Sequence, residues 1–450
     1  MKQYSLEEQR RRMQNLRYGA DSVRACLRTQ RIHDYLPGQV IYNLGEYPAR
    51  FSIMPTEYDE TLIRSLAEKG VELIQVHEEW NDAIHVLGAD KYSSHDPDGM
   101  RAFIELCHRY GIKILPYMSS GFFDIRDPEF SQDFAGPELH VLDSAHYKYA
   151  CCYTGSPAWQ KFLLGKLERL LDSYDFDGLY NDMGYSGTGH LENGLIVGDP
   201  CFEDLLARIY SLVKERHGIV KVHQGTCIAP GASSKVYDYL WIGECMTDSE
   251  DIRRAASFPP YVVPCPDFRF MSQKEEEAFF ARTIPFLQFQ IRVDGRPVTG
   301  ERAFVPGIDY TYNPANNEQL HYEAVKKWYD AHPDGPHVYS EWSSIPDNPV
   351  TREKWFAYLA LYRPMVTENS FVYIDIGENR ITAAPLPEGV HMSLFINEEC
   401  YLCLSNLGKE NASVTFADHW EDRQTGEILR ETVLAPDQIL FLKKVQDSAN

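Results

Sequence analysis

The chain has 450 residues and a mass of 51.8 kDa, which is more than one small domain needs. Hydrophobic residues make up 44 % and charged residues 24 %, a composition typical of globular proteins, so global disorder is excluded. Lys and Arg number 44 against 66 Asp and Glu, which gives a formal net charge of −22 at pH 7. Because a field of that sign repels phosphate backbones and anionic lipid, we expect no nucleic-acid or membrane partner. A neutral or cationic small molecule is favoured instead.

The N-terminal segment 1–19 is charged and helix-like, and it lacks the apolar stretch of a secretory signal. No run of residues approaches the ~20 apolar positions that a membrane span requires. The ten cysteines are scattered along the chain, a distribution typical of reduced thiols. We therefore predict a cytoplasmic protein.

One pattern repeats along the chain: an amphipathic helix ends near a glycine, and a short apolar strand follows. Such alternation is the signature of parallel βαβ units. Eight strands are predicted, near residues 51–54, 72–76, 112–117, 178–181, 219–223, 237–243, 261–264 and 286–293. The sequence therefore predicts an α/β fold, a (β/α)₈ TIM barrel over 41–368 that follows an N-terminal helical segment over 1–40.

The pattern changes in the last third of the chain. A Pro- and Asp-rich stretch over 295–348 reads as a long insertion, as a lid or a subunit contact. Beyond 369, apolar residues such as Val390, Met392, Leu394 and Ile396 alternate with polar neighbours. This period of two predicts a C-terminal antiparallel β-sandwich over 369–450.

Polar and aromatic residues follow most of the predicted strands, where a barrel of this type places its active site. Carboxylates, imidazoles and flat rings together suit a sugar, because they supply acids for the bond, partners for hydroxyls and faces for stacking. The candidate substrate-binding residues are His77, Glu78, Trp80, Tyr117, Asp124, Tyr180, His223, Trp241, Asp267 and Arg269, and the candidate catalytic acids are Asp182 and Glu244.

A structural role stands beside each of these functional roles. A strand-end aspartate also serves as a helix cap, and the aromatic residues pack in cores as readily as they stack on sugars. Arg269 and Arg292 fit a purely electrostatic role among these acids. No HxH, HExxH or phosphate-binding loop occurs, so we expect no metal and no cofactor.

The segment Phe176–Met183, with the sequence FDGLYNDM, resembles the strand-four segment of the clan D retaining α-glycosidases, the α-galactosidase and α-glucosidase barrels. That resemblance implies that Asp182 is the nucleophile and that an acid/base after strand six corresponds to Glu244. The family usually has Asp as the acid/base, and Met183 and Gly184 stand where the α-glucosidase branch has Asn and Glu. The chain therefore resembles an outlying member that cleaves glycosides with retention.

Two other functions fit the same residues. One is a carbohydrate-binding barrel that lacks catalysis, because fold does not fix function. The other is a lyase or isomerase that uses a divalent metal, with oxygen ligands from Glu78, Asp182, Glu244 and Asp267. A small carbohydrate is the expected partner of a glycosidase and of a binding barrel. The sequence leaves homo-oligomerisation open.

Overall fold

The computed structural model describes residues 4–44, 52–77, 80–81, 92–94, 96–125, 127–136, 138–143, 148–182, 190–192, 195–197, 200–224, 236–242, 261–264, 273–296 and 349–445. Two compact units are formed by the chain. The barrel unit comprises residues 39–241 and 291–347, and the terminal unit comprises 1–38, 242–290 and 348–450. Residues 297–348, most of the predicted insertion, lie outside the described residues.

Helices and strands alternate through most of the chain. The helices are α1 (Leu6–Ser22), α2 (Glu57–Glu68), α3 (Pro97–Arg109), α4 (Pro157–Ser173), α5 (Pro200–Lys214), α6 (Gln273–Thr283) and α7 (Pro349–Tyr362). The first strands are β1 (Cys26–Arg31), β2 (Gln39–Asn43), β3 (Leu73–Val76), β4 (Lys113–Ser119), β5 (Phe122–Asp124), β6 (Val141–Asp143), β7 (Lys148–Cys151), β8 (Gly178–Asp182), β9 (His190–Glu192) and β10 (Leu195–Val197). The later strands are β11 (Ile219–Gln224), β12 (Tyr239–Ile242), β13 (Tyr261–Pro264), β14 (Arg292–Gly295), β15 (Phe371–Ile376), β16 (Val390–Ile396), β17 (Cys400–Asn406), β18 (Ala412–Asp422), β19 (Ile428–Leu434) and β20 (Ile439–Lys444).

The predicted (β/α)₈ architecture is confirmed. An eight-stranded parallel sheet has the order β13-β12-β11-β8-β4-β3-β2-β14, which is the cyclic strand order of such a barrel. Loops on this sheet carry two small antiparallel sheets, β5-β7-β6 and β10-β9. Strand β8, with Asp182 as its last residue, lies between β4 and β11.

The first predicted strand is wrong. The barrel begins with β2 at Gln39–Asn43, whose five residues are all buried, and not near 51–54. The apolar residues at 53–54 instead lead into α2, whose first turn is held by a capping box between Thr56 and Asp59. The eighth strand is also shorter than predicted, because Ile284–Phe286 forms a 3₁₀ turn that ends at Leu287 with φ +60°.

Helices α3 and α4 each begin at a capping side chain and bury one face. Asp96 caps α3 by accepting a bond from the Gly99 amide, and Ser156 caps α4 ahead of a first-turn proline. The side chains buried along these helices are Met100, Phe103, Ile104, Leu106 and Cys107 on α3, and Trp159, Leu163, Leu167 and Leu170 on α4.

A glycine begins the strand that carries Asp182. Gly178 has φ +145°, and a Cβ at this position would lie 1.9 Å from the carbonyl oxygen of Ile219 on β11. Only glycine therefore allows β8 and β11 to approach at this point. The close approach sets the register in which Gly178 pairs with Ile219 and Tyr180 with Lys221.

The terminal unit contains an antiparallel sheet of seven strands in the order β1-β15-β16-β17-β20-β18-β19. A bulge between Thr415 and Trp420 lets β18 pair with both β19 and β20. The predicted alternation is confirmed, since Met392, Leu394 and Ile396 belong to one buried cluster of this unit. The domain boundaries at 41–368 and 369–450 stay predictions. In the described part of the chain, no helix has both the length and the apolar character needed to cross a membrane.

Candidate active site

Asp182, the last residue of β8, is held by donors from both neighbouring strands. Its Oδ2 accepts a hydrogen bond from the Tyr117 hydroxyl on β4 at 2.7 Å. Its Oδ1 lies 2.5 Å from Nδ1 of His223 on β11. The Asp182 side chain is 16 % exposed and the His223 side chain 7 %. The carboxylate is therefore fixed on both oxygens and still in contact with solvent.

Strand register explains why these three side chains meet. Tyr117 pairs with Tyr180, and Ser119 pairs with Asp182. Residues two apart on a strand point to the same face, so Tyr180 and Asp182 share a face. On the other side, Lys221 pairs with Tyr180, which brings His223 beside Asp182. The side chains of three consecutive barrel strands thus form one cluster.

Aromatic rings pack around this cluster. The Trp241 ring on β12 stacks on the His223 imidazole at 4.7 Å and lies 4.8 Å from Tyr180. The His77 imidazole, at the end of β3, is 5.7 Å from both Tyr180 and Trp241, and 6.1 Å from Tyr117. Tyr180 and Trp241 are each 1 % exposed, so their rings build the wall behind the polar groups.

Two of the predicted residues lie beside this cluster. Trp80 is fully buried; its indole donates to the backbone carbonyl of Tyr117 at 2.9 Å, and its ring packs edge-on against Tyr174 and Phe176. Asp124 is also fully buried, within the three-stranded sheet where it pairs with Tyr149. Their roles in substrate binding stay predictions.

Four of the predicted site residues lie outside the described residues: Glu78, Glu244, Asp267 and Arg269. The separation between the Asp182 and Glu244 carboxyl groups is therefore also a prediction. Arg292 is described; it is buried on β14, with Nε 3.8 Å from Oδ2 of Asp294.

A second polar layer lies inside the barrel, and the sequence reasoning missed it. Lys221 is fully buried, and its Nζ donates to Oε1 of Gln39 at 3.0 Å. Gln75 is buried too, with its Nε2 3.1 Å from Nε2 of His77. The signal was present in the sequence as Gln75-Val76-His77 and Lys221-Val222-His223. In both strands a polar residue stands two positions before the strand-end histidine, and therefore on the same face.

One group of described side chains has the spacing of metal ligands. His33, Asp34 and Glu368 of the terminal unit place one ligand atom each within 4.8 Å of one another. The Nδ1 of His33 donates to the Glu368 carboxylate at 2.7 Å, and this hydrogen bond raises the pKa of the largely exposed imidazole. These mutual contacts describe a surface ion pair, and the group lies outside the barrel unit.

No family model and no curated protein matches the chain. Solved structures do match. XgtA, an α-glucosyl transfer enzyme, is 12 % identical with a TM-score of 0.58, over 94 % of this chain and 100 % of that one. Trehalose-6-phosphate hydrolase from Bacillus licheniformis is 10 % identical with a TM-score of 0.56, over 92 % and 100 %. A variant of the GH36 α-galactosidase AgaA from Geobacillus stearothermophilus is 11 % identical with a TM-score of 0.52, over 98 % and 59 %.

At identities this low the similarity is one of fold. It agrees with the resemblance to retaining α-glycosidase barrels that the segment Phe176–Met183 indicates, and confirms it at the level of the fold. The chain therefore has the barrel fold of these three solved structures, with Asp182 at the end of its fourth barrel strand.

Proposed function

We propose that the protein is a retaining glycosidase for a small, uncharged, α-linked carbohydrate. Asp182 is the nucleophile and Glu244 the acid/base. The observation that carries the proposal is the convergence of Tyr117 and His223 on the two oxygens of Asp182, at the carboxyl end of the fourth barrel strand. Catalytic groups of such barrels lie at that end of the strands.

The environment of Asp182 suits a nucleophile. Attack on an anomeric carbon requires a carboxylate that is ionised and held in one orientation. Donors on both oxygens favour the charged form and fix the plane of the group. The partial exposure of Asp182 leaves room for a substrate to approach.

The reaction proceeds in two displacements. In the first, an Asp182 oxygen bonds to the anomeric carbon while the glycosidic carbon–oxygen bond breaks, and Glu244 transfers its proton to the leaving oxygen. In the second, Glu244 takes a proton from water, whose oxygen displaces Asp182 and leaves a sugar of the original anomeric configuration. This chemistry requires the two carboxyl groups to lie about 5–5.5 Å apart.

The substrate class follows from charge and from the similar structures. Three of the matched proteins are described as an α-glucosyl transfer enzyme, a trehalose-6-phosphate hydrolase and an α-galactosidase, and two of these names state an α-linked sugar. A net charge of −22 disfavours a phosphorylated sugar in this chain. An acceptor sugar in place of water would turn the same covalent intermediate towards transglycosylation.

The test is to trap the intermediate. The protein is incubated with a panel of fluorinated α-glycosyl fluorides, and the adduct is located by peptide mass spectrometry. We expect a fluorosugar ester on Asp182, and loss of turnover in Asp182→Asn. The control is Asp172→Asn, the same change at an exposed carboxylate on α4 that is paired with Arg216, and it should leave turnover unchanged. Normal turnover by Asp182→Asn would refute the assignment.

Glu244 is tested by a different property. Glu244→Ala should lose activity on substrates with poor leaving groups and keep it on glycosyl fluorides, which need no proton at departure. Added azide should restore turnover and yield an α-glycosyl azide.

Sugar binding without turnover by the wild type would instead favour a binding barrel. Activity that is lost on chelation and restored by Mg²⁺ would favour a metal-dependent lyase.

A further inference from the structure

A lysine lies in the centre of the barrel, beneath the candidate nucleophile. Lys221 occupies the middle of β11 and is fully buried, which is rare for this residue type. Its ammonium donates to Gln39 Oε1 at 3.0 Å and lies 5.7 Å and 6.0 Å from the ring centres of Trp241 and Tyr180. An amide oxygen and two aromatic faces all favour the charged form of the amine.

Strand register places this charge one layer below Asp182. Lys221 pairs with Tyr180, and Asp182 is two residues further along the same strand face. Strand spacing and rise put the Cα atoms of Lys221 and Asp182 about 8 Å apart. Both residues lie in the barrel unit, where Lys221 is fully buried and the Asp182 side chain is 16 % exposed, so their charges interact more strongly than two charges on a surface.

We propose that Lys221 is a positioning residue that keeps Asp182 ionised. The buried ammonium favours the carboxylate form of Asp182 and disfavours a second positive charge on His223. This inference rests on the proposed function, because ionisation of Asp182 matters for turnover only if Asp182 is the nucleophile. In this role Lys221 acts through Asp182.

Other titratable groups of the cluster also lie near Asp182 and Lys221. Among the described residues they are His77 beside β3, Tyr117 on β4, Tyr180 on β8 and His223 on β11. Tyr117 is a neutral donor, and His77 is bonded to the amide of Gln75. Two unit charges about 8 to 12 Å apart at an effective dielectric constant of about 20 shift each other's titration by about one pH unit.

The chain contains its own reporter for this titration. Because Trp241 stacks on His223 at 4.7 Å, we expect a change of charge in the Asp182–His223 pair to alter the fluorescence of Trp241. The signal is defined as the part of the pH-dependent tryptophan fluorescence that disappears in Trp241→Phe. Lys221→Met removes the charge and keeps most of the length of the side chain, whereas Lys221→Arg keeps the charge.

In Lys221→Met, we expect the midpoint of this transition to move up by about one pH unit, since a nearby positive charge has been removed. The acidic limb of the kcat/KM profile should move up by the same amount. In Lys221→Arg, both should stay within about a third of a unit of the wild type. An unchanged midpoint in folded Lys221→Met, or equal shifts in both variants, would overturn the proposal.

Two further measurements keep the test decisive. If Lys221→Met does not fold, the double variant Gln39→Met/Lys221→Met also removes the amide oxygen that the ammonium bonds. The midpoint of the double variant is subject to the same expectation. The fluorescence needs no substrate. A shifted midpoint in a protein that hydrolyses no glycoside would therefore refute the proposed hydrolase and retain the role of Lys221 as the group that sets this charge balance.

Discussion

Replacing Tyr117 by phenylalanine removes one hydrogen bond from Asp182 and leaves the ring in place. The lost bond is 2.7 Å long and joins a hydroxyl to a carboxylate. Bonds to charged groups contribute about 1.5 to 3 kcal/mol. If this energy orients the nucleophile in the transition state, Tyr117→Phe should lower kcat/KM by about 10- to 150-fold.

The same change has a signature in pH. The ionised carboxylate loses more from removal of the donor than the protonated carboxyl does, so the acidic limb of the pH–rate profile should move to higher pH. The ring still packs 5.7 Å from Tyr180, and the thermal midpoint should therefore change by only a few degrees.

The assay is steady-state hydrolysis of an activated aryl α-glycoside from pH 4 to 9. Tyr110→Phe is the matched control, because the Tyr110 hydroxyl also bonds a carboxylate, that of Glu60, at 3.1 Å on the outer side of the barrel unit. We expect wild-type kinetics in this control. Wild-type kcat/KM and an unmoved acidic limb in Tyr117→Phe would refute the argument that the hydroxyl positions Asp182.

Three other predictions concern stability and reactivity. Burial raises the pKa of the Asp59 carboxyl, but the hydrogen bonds and charge of Arg296 outweigh burial and hold that pKa below its usual value. Arg296→Met should therefore lower the free energy of unfolding by about 3 to 5 kcal/mol, measured in urea at pH 7. Since that pKa is lowered, the stabilisation is present above the unfolded-state value of about 4 and is lost as the pH falls below it. Gly178→Ala should prevent folding or cost more than about 3 kcal/mol, whereas Gly165→Ala on α4, where a Cβ meets open space, should add about 0.5 to 1 kcal/mol. Burial raises the pKa of the Cys400 thiol to about 12, so iodoacetamide at pH 8 should alkylate Cys400 only after unfolding, as peptide mass spectrometry would show.

Each of these has an outcome that contradicts it. If Arg296→Met lowers the free energy of unfolding by less than about 1 kcal/mol, or by more at acidic pH than at pH 7, the Asp59–Arg296 pair does not stabilise the fold as argued. Equal stabilities of the two alanine variants would mean that the close approach at Gly178 is relieved without cost. Alkylation of native Cys400 would show that the thiol is not sealed.

Strands preceded by a capped helix and a glycine were predictable from the sequence. Strand β3, which follows α2 and Gly70, was predicted within one residue of its observed bounds. The strand at 261–264 was also predicted at its observed bounds, from its apolar run. Strand β2 was missed because a strand, and not an amphipathic helix, precedes it in the chain. The β14 region was misjudged because its apolar run continues through a 3₁₀ turn, where Leu287 takes a left-handed backbone conformation.

The residues of the candidate site could be predicted from the sequence, but the contacts between them could not. Strand-end polarity picked out Tyr117, Asp182 and His223, which the structure brings together. Their hydrogen bonds depend on the register of three strands, and a single sequence contains no register. Gln39 and Lys221 were missed because a polar residue inside an apolar strand reads as an interruption, whereas in a barrel it marks the interior layer below the site.

Strand β1 has a consequence for how the protein is made. Cys26–Arg31 forms the edge of the terminal sheet by pairing with Phe371–Ile376, so residues 340 to 350 positions apart along the chain are joined. A ribosome releases the first partner long before the second exists, and contacts so distant along the chain form slowly. A fragment that starts after Arg31 would expose the unpaired amides and carbonyls of β15, and an exposed strand edge of this kind promotes aggregation. Shortened versions of this protein should therefore keep both β1 and β15.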